Sequence, residues 1–484
     1  MAWADLRQGR IYEQTGRFDL AAFEYFDTLR KGAKDGDKIQ AEFELASSLQ
    51  TMKLFYSASY YFGQVLVNHS GPNPYRARAL EALTKIDAEY PLGPSFMQSL
   101  LAKGLDPNAT PEASRAFFYY YLGKDQFAKS HWGEAKNAFA RITLKSPFFV
   151  KASFHLGIIQ ALENEPAKAI RSFHNVIRHA NRLGNAEWLR EQATINIARI
   201  HYEAKDFVRA IASYAKIPRN SDNWLTALFE ASWAFFLMEK PNNTLGNIHT
   251  LHSPFFDNRF FPESYILQAV TFLRLCQFEQ VKNSVDAFKT RYTPVLSELS
   301  KILDEAKTNP NKMVDWVRAY NSQSLQVYRN AWPIFDALAR TDVARQMLSF
   351  VANVDKELLI LEGTPEAWRS TGLRGTLNEF LNGKKAAIVK DAGRALYQES
   401  QFYLQYLSDL SEQTKLIHAE LMLGKIEQLR RKLQIRTTPK KENFIGGMQP
   451  LVIGQNLEYW PFEGEYWEDE LGGYVYNIES QCKK

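Results

Sequence analysis

The chain has 484 residues, 45% hydrophobic and 13% aromatic, and its 59 Lys and Arg against 54 Asp and Glu leave a net charge of +5. That length exceeds what one hydrophobic core fills, so two or three domains or one elongated array are expected, and so small a charge argues against a dedicated nucleic-acid binder. The longest apolar run, Trp233 to Met238, is far too short to span a bilayer, and two cysteines, Cys276 and Cys482, are too few for a disulfide scaffold or a cysteine metal site. The first stretch, MAWADLRQGRIYEQTGRF, enters a helical pattern almost at once, with no basic n-region and no apolar h-region. A start inside a helix fits a chain whose leader has been removed, and a periplasmic location is the expectation. A cytoplasmic protein with a short N-terminus is the alternative.

Further along, the pattern repeats. Leu122-Gly123 and Leu156-Gly157 stand 34 residues apart, and Ala135 with Ala169 and Phe139 with Phe173 keep the same spacing. Looser copies run through Gly9, Gly16, Phe18, Ala21 and Tyr25, through Ala46, Phe55, Ala58 and Phe62, and through Ala198, Phe207, Ala210 and Tyr214. Two more, around Ala231 and Ala269, keep the small residue but lose the alanine of the second helix. The 77 residues between Ala46 and Gly123 leave room for one degenerate unit containing PYRARALEALTKIDAEYP. Small residues let two antiparallel helices approach, and the aromatic fills the space against the next pair. No single pair can bury its apolar face, so stacking must supply the core.

This unit resembles the tetratricopeptide repeat, and the resemblance covers residues 1–292. It implies an all-α fold, a right-handed superhelix (α-solenoid), whose concave face is lined by positions five, nine and twelve of each first helix. Those positions make Phe43, Tyr120, Lys124, Phe127, Phe154, Ile158, Arg199 and Tyr202 the candidates for binding a protein or peptide partner. Family members that clamp a terminal carboxylate carry lysine at position five. Here that position is apolar, so the clamp is not carried over. Tight coiling that buries these residues as core is the competing expectation.

Residues 293–437 stay helical without the repeat. Thr364-Pro365-Glu366 supplies a cap, a first-turn proline and a first-turn acid. From Asp391 to Arg436 no proline interrupts, and Tyr403, Leu407, Leu410, Thr414, Ile417 and Leu421 alternate in steps of four and three. That period fits a long helix packed on the chain's own repeats, the favoured reading, or a short coiled coil. Arg430, Arg431, Lys432 and Arg436 suit the negative end of its dipole.

Pro439, Gly446, Gly447, Pro450 and Gly454 end helix, and residues 438–484 read as an irregular tail with short β-prone pieces at Val452-Ile453 and Tyr474-Val475-Tyr476. Residues 458–479 hold seven acids and no Lys or Arg, among many aromatics. So many aromatics are expected to dock in cis on the helices, anchored by Trp460, Phe462 and Trp467, with the acids near basic surface. Cys276 reads as a small buried apolar residue, and its separation from Cys482 in sequence leaves their pairing open.

No phosphate-binding GxxxxGK[ST] loop, GxSxG elbow or HExxH appears. His249 and His252 are spaced for a metal but lack a nearby acid or cysteine, so they read as solvated turn histidines. The EYWEDE cluster has no visible scaffold for catalysis or calcium. No catalytic residue, cofactor or metal is expected. The tail WPFEGEYWEDELGGY, after a repeat array and a long helix, is similar to the ends of tetratricopeptide proteins of predatory and gliding delta-proteobacteria, which implies an exported protein of envelope or motility machinery. The favoured function is thus a non-enzymatic interaction scaffold. Its rival is a cell-wall or carbohydrate-binding protein, or a hydrolase, that uses the acidic-aromatic tail.

Overall fold

The computed structural model describes residues 6–32, 35–68, 73–103, 105, 112–182, 187–435 and 464–482. It is 77% helical and, among the described residues, contains no strand, so the β piece expected at Tyr474-Val475-Tyr476 is not formed, and the one at Val452-Ile453 lies outside the described residues. The helices come first as pairs: α1 (Arg7–Gln14) with α2 (Phe18–Arg30), α3 (Asp35–Thr51) with α4 (Phe55–Val67), and α5 (Arg76–Glu89) with α6 (Pro94–Ala102). Then follow α7 (Glu112–Ala128) with α8 (Trp132–Ala140), α9 (Phe149–Leu162) with α10 (Pro166–His179), and α11 (Glu187–Glu203) with α12 (Phe207–Tyr214). The last pairs are α13 (Trp224–Leu237) with α14 (Pro241–Leu251) and α15 (Glu263–Arg274) with α16 (Phe278–Ala306). In the interval between Ala46 and Gly123, where a degenerate unit is expected, stand α5 and α6.

Within a pair, closure depends on one contact. A Cβ on Gly9 would stand 2.5 Å from the Tyr25 ring, one on Gly123 2.5 Å from Phe139, and one on Gly157 2.7 Å from Phe173. The partners are always 16 positions apart, and fully buried Ala46 holds the same relation to buried Phe62. The turn is shared as well. Gly16, Lys53, Ser130, Asn164, Lys205, Glu239 and Cys276 all have φ between 54° and 74°, each two residues before its second helix begins. This turn shifts one expected register. Glu239 lies seven residues after Ser232, as Asn164 does after Gly157, so the small residue of α13 is Ser232 (0% exposed) rather than its neighbour Ala231.

The remaining helices are α17 (Asn311–Asn321), α18 (Trp332–Ala339), α19 (Asp342–Glu362), α20 (Glu366–Ser370) and α21 (Leu373–Ile435). The boundary expected at 292/293 falls inside α16, which continues through Pro294, and the one at 437/438 lies outside the described residues. The chain forms two compact units: Met1–Ile200 with Pro310–Arg318 and Arg340–Leu396, and His201–Asn309 with Ala319–Ala339 and Tyr397–Lys484. In the first, Val354, Leu361, Trp368, Leu373, Leu377 and Leu381 join the core of the early repeats. Trp368 is wholly buried and its Nε1 donates to the Asp19 carbonyl at 2.7 Å. In the second, the heptad residues Leu407, Leu410, Thr414, Ile417 and Leu421 of α21 are buried, Phe260 meets Tyr403 at 5.1 Å, and Lys425 pairs with Glu279 at 2.9 Å. The long helix thus packs on the chain's own repeats.

Candidate functional site

In the first unit the predicted partner-binding positions divide by burial. Phe43 (4% exposed) and Tyr120 (7%) lie in the core, as tight coiling would have them, and offer no open surface. Lys124, Phe127, Phe154 and Ile158 are part-exposed, Arg199 is exposed, and Tyr202 belongs to the second unit, where its ring meets Phe207 at 5.4 Å.

What sequence reasoning missed is the polar set around Lys124. Lys151, three residues before Phe154, carries a second ammonium on the next first helix. Burial lowers the pKa of both lysines; for Lys124 the charge of Lys151 adds to this, while Asp87 and Asp342 oppose it. Neither lysine has a carboxylate at ion-pair distance among the described residues. Asp87, 1% exposed, instead accepts from the Leu92 amide at 2.7 Å and from the Tyr121 hydroxyl, and burial pushes its carboxyl up. His155 stacks on Phe139 (5.1 Å, 8°) and meets Phe127 at 5.2 Å. Burial, helped by Lys124, pushes it down to about 4, so it is neutral at physiological pH. Its Nδ1 is buried without a hydrogen-bond partner, and so is Nε1 of Trp188 at the start of α11. The Arg345 guanidinium lies 4.9 Å from the Trp188 ring. Unmade buried hydrogen bonds cost about 1–3 kcal/mol each, so these two nitrogens are a local cost of the fold. Nothing in this polar set supplies a nucleophile paired with a base.

In the second unit residues 464–482 lie against α14 and the turn before α16, through contacts other than the expected anchors. Trp460 and Phe462 lie outside the described residues, and Trp467 is 54% exposed, so it is no buried anchor. Leu471 (5% exposed) takes that place, with the rings of Tyr466, Tyr474 and Tyr476 around His249 at 4.7, 4.8 and 5.8 Å. The backbone is held too. Gly472 N donates to Thr250 Oγ1 (2.8 Å), Tyr476 N to the Asn242 carbonyl (3.1 Å), Ile478 N to Asn242 Oδ1 (3.2 Å) and Gln481 N to the Leu275 carbonyl (2.8 Å). Arg219 reaches the acidic run through the Asp469 carbonyl at 2.8 Å rather than through its carboxylate. Cys276 is not a buried apolar residue of a helix. It occupies the left-handed turn before α16 and forms a disulfide with Cys482.

The two histidines are not solvated turn residues. His249 is enclosed by the tail's tyrosines and held below its ordinary pKa by burial. His252 stacks on Tyr265 at 3.9 Å, shares a 2.8 Å hydrogen bond between its Nε2 and Ser264 Oγ, and is pushed down to about 3 by the same cause. No cluster that could hold a metal ion occurs among the described residues, and no described helix is long and apolar enough to cross a membrane.

A tetratricopeptide-repeat family model matches residues 120–182, the stretch that carries Lys124, Lys151 and His155. No curated protein matches the chain. Such repeats are typically protein–protein interaction modules on a scaffold that is generally non-enzymatic. Residues 120–182 thus carry tetratricopeptide repeats, and the left-handed turn of the matched stretch recurs in the helix pairs before and after it.

Proposed function

We propose that the protein is a non-enzymatic scaffold that holds an acidic, partly apolar segment of a partner protein on the surface formed by α7, α9 and the start of α11. The observation that carries this reading is the pair of part-buried lysines, Lys124 and Lys151, with no carboxylate at ion-pair distance among the described residues. A partner's carboxylate would supply the missing charge, and the aromatic rings of Phe127 and Phe154 would pack its apolar side chains. A place in an envelope or motility assembly is part of this reading, and an oxidising compartment such as a periplasm is supported by the Cys276–Cys482 disulfide, since such bonds persist outside the reducing cytosol. The test is capture of binding proteins from an envelope extract by the chain and by a Lys124→Met/Lys151→Met variant. Removing two partly desolvated charges leaves the melting temperature unchanged or raises it. Captured partners fall by tenfold or more, on the order of 1.4 kcal/mol. A stable double variant that captures the same partners in the same amount would place the binding surface elsewhere.

A further inference from the structure

Beyond its packed seam, α21 has a second apolar face. Leu416 (67% exposed), Leu423 (66%) and Ile426 (44%) lie on the side opposite Leu410, Thr414, Ile417 and Leu421, given about 100° of rotation per residue, and Met422 (49%) and Leu429 (59%) lie on the flank beside them. Exposed apolar residues of the repeats, such as Leu162 and Val208, sit singly at the helix-pair turns, as surfaces ordinarily allow. Five within fourteen residues of one helix mark an interaction surface.

We propose that this face pairs with the same face of a second copy of the chain, the two helices antiparallel about a two-fold axis level with Leu421. The sequence of the face is self-complementary in that register. Leu416 lies opposite Ile426, Ala419 opposite Leu423, and Glu412 opposite Arg430, each contact made twice as an isologous interface requires. Along the helix 412, 416, 419, 423, 426 and 430 alternate in steps of four and three, the spacing that keeps a seam facing its partner. Met422 meets its own copy beside the axis, and Leu429 covers the aliphatic stem of Lys415. A heterologous partner would impose no such symmetry on this chain. One contact opposes association: Glu420 stands beside Glu420 of the other copy. The surface is small against a standard interface, so the dimer dissociates in the range of about micromolar.

Sedimentation equilibrium of the full chain across a concentration series tests this. The wild type is expected to show a monomer–dimer equilibrium, and Leu423→Glu, at a position already in solvent, to abolish it without changing the far-ultraviolet circular dichroism. Glu412→Arg weakens the dimer about tenfold by placing like charges opposite one another. The swap Glu412→Arg/Arg430→Glu restores it, and Glu420→Gln tightens it. A chain that stays monomeric, an association that survives Leu423→Glu, or a swap that fails to restore the dimer overturns the proposal. A monomer whose residues 416–429 are protected from hydrogen exchange overturns it as well, by assigning the face to a segment of the same chain.

Discussion

Gly246 shows how little room the tail leaves on α14. A Cβ there would stand 1.8 Å from the Tyr474 carbonyl oxygen and 3.1 Å from the Val475 Cα, and both obstacles are backbone. Gly246→Ala is therefore expected to lift the tail around Tyr474 and cost about 1–3 kcal/mol. Hydrogen exchange at Tyr476 and a thermal melt read this out, with Gly133→Ala, where nothing lies within 4 Å, as the control that is not destabilised. Equal protection of Tyr476 in both variants would mean that the tail does not lie on Gly246. The repeated left-handed turn gives a second case. Glu239 is exposed at φ 58°, a conformation that costs a side-chain-bearing residue about 1 kcal/mol and glycine almost nothing. Glu239→Gly should raise stability by up to about 1 kcal/mol in denaturant titration, and a loss of stability would contradict the strain argument.

Between elements, a long-range polar contact of the first unit joins α19 to α4. The Glu357 carboxylate accepts from the amides of Tyr56 (2.6 Å) and Ser57 (3.2 Å) and from Ser57 Oγ (2.9 Å), capping a helix 300 residues away. Burial nonetheless raises its pKa from 4.5 to about 7, the hydrogen bonds offsetting only part of the desolvation. With the folded value above the unfolded one, its contribution is fully present below about pH 4.5 and is lost as pH rises through 7, an effect of about 3 kcal/mol. Thermal melts at pH 5 and pH 8 should show that loss in the wild type and a flatter response in Glu357→Gln. Identical pH responses would discard the assignment. This contact could not be read from the sequence, because nothing near Glu357 or Ser57 indicates that they meet. The pairing of Gly123 with Phe139 was legible because its 16-residue spacing is local and recurs. The shared turn was not, since Lys, Ser, Asn, Glu and Cys have no side-chain chemistry in common, and two adjacent small residues, Ala231 and Ser232, left the register ambiguous by one. Periodicity also located the face bearing Tyr120 without showing that neighbouring rings such as Phe148, 4.9 Å away, would enclose it. Tyr474 to Tyr476 forms no strand; the Tyr476 amide meets the first turn of α14 instead.

For the molecule as a whole, the consequential covalent fact is that residue 482 is fastened to the repeat array by a disulfide that spans a sequence separation of 206. Such a cross-link acts mainly by limiting the states open to the chain when its contacts break, typically by about 2–4 kcal/mol. The noncovalent contacts of the tail are of the same order. Burial of Leu471 supplies about 2 kcal/mol, and the backbone hydrogen bonds add about 1 kcal/mol each before the entropy of ordering the segment is subtracted. Neither contribution dominates, so reduction should move the tail from securely docked to partly released while the helices stay folded. Limited proteolysis at neutral pH, with and without dithiothreitol, checks this: cleavage within residues 464–482 should accelerate many-fold on reduction, and a Cys482→Ser variant should behave like the reduced protein without added thiol. If the reduced chain resists cleavage as well as the oxidised one, the rings around His249 and the close approach at Gly246 suffice by themselves. The disulfide would then be a consequence of docking rather than what maintains it.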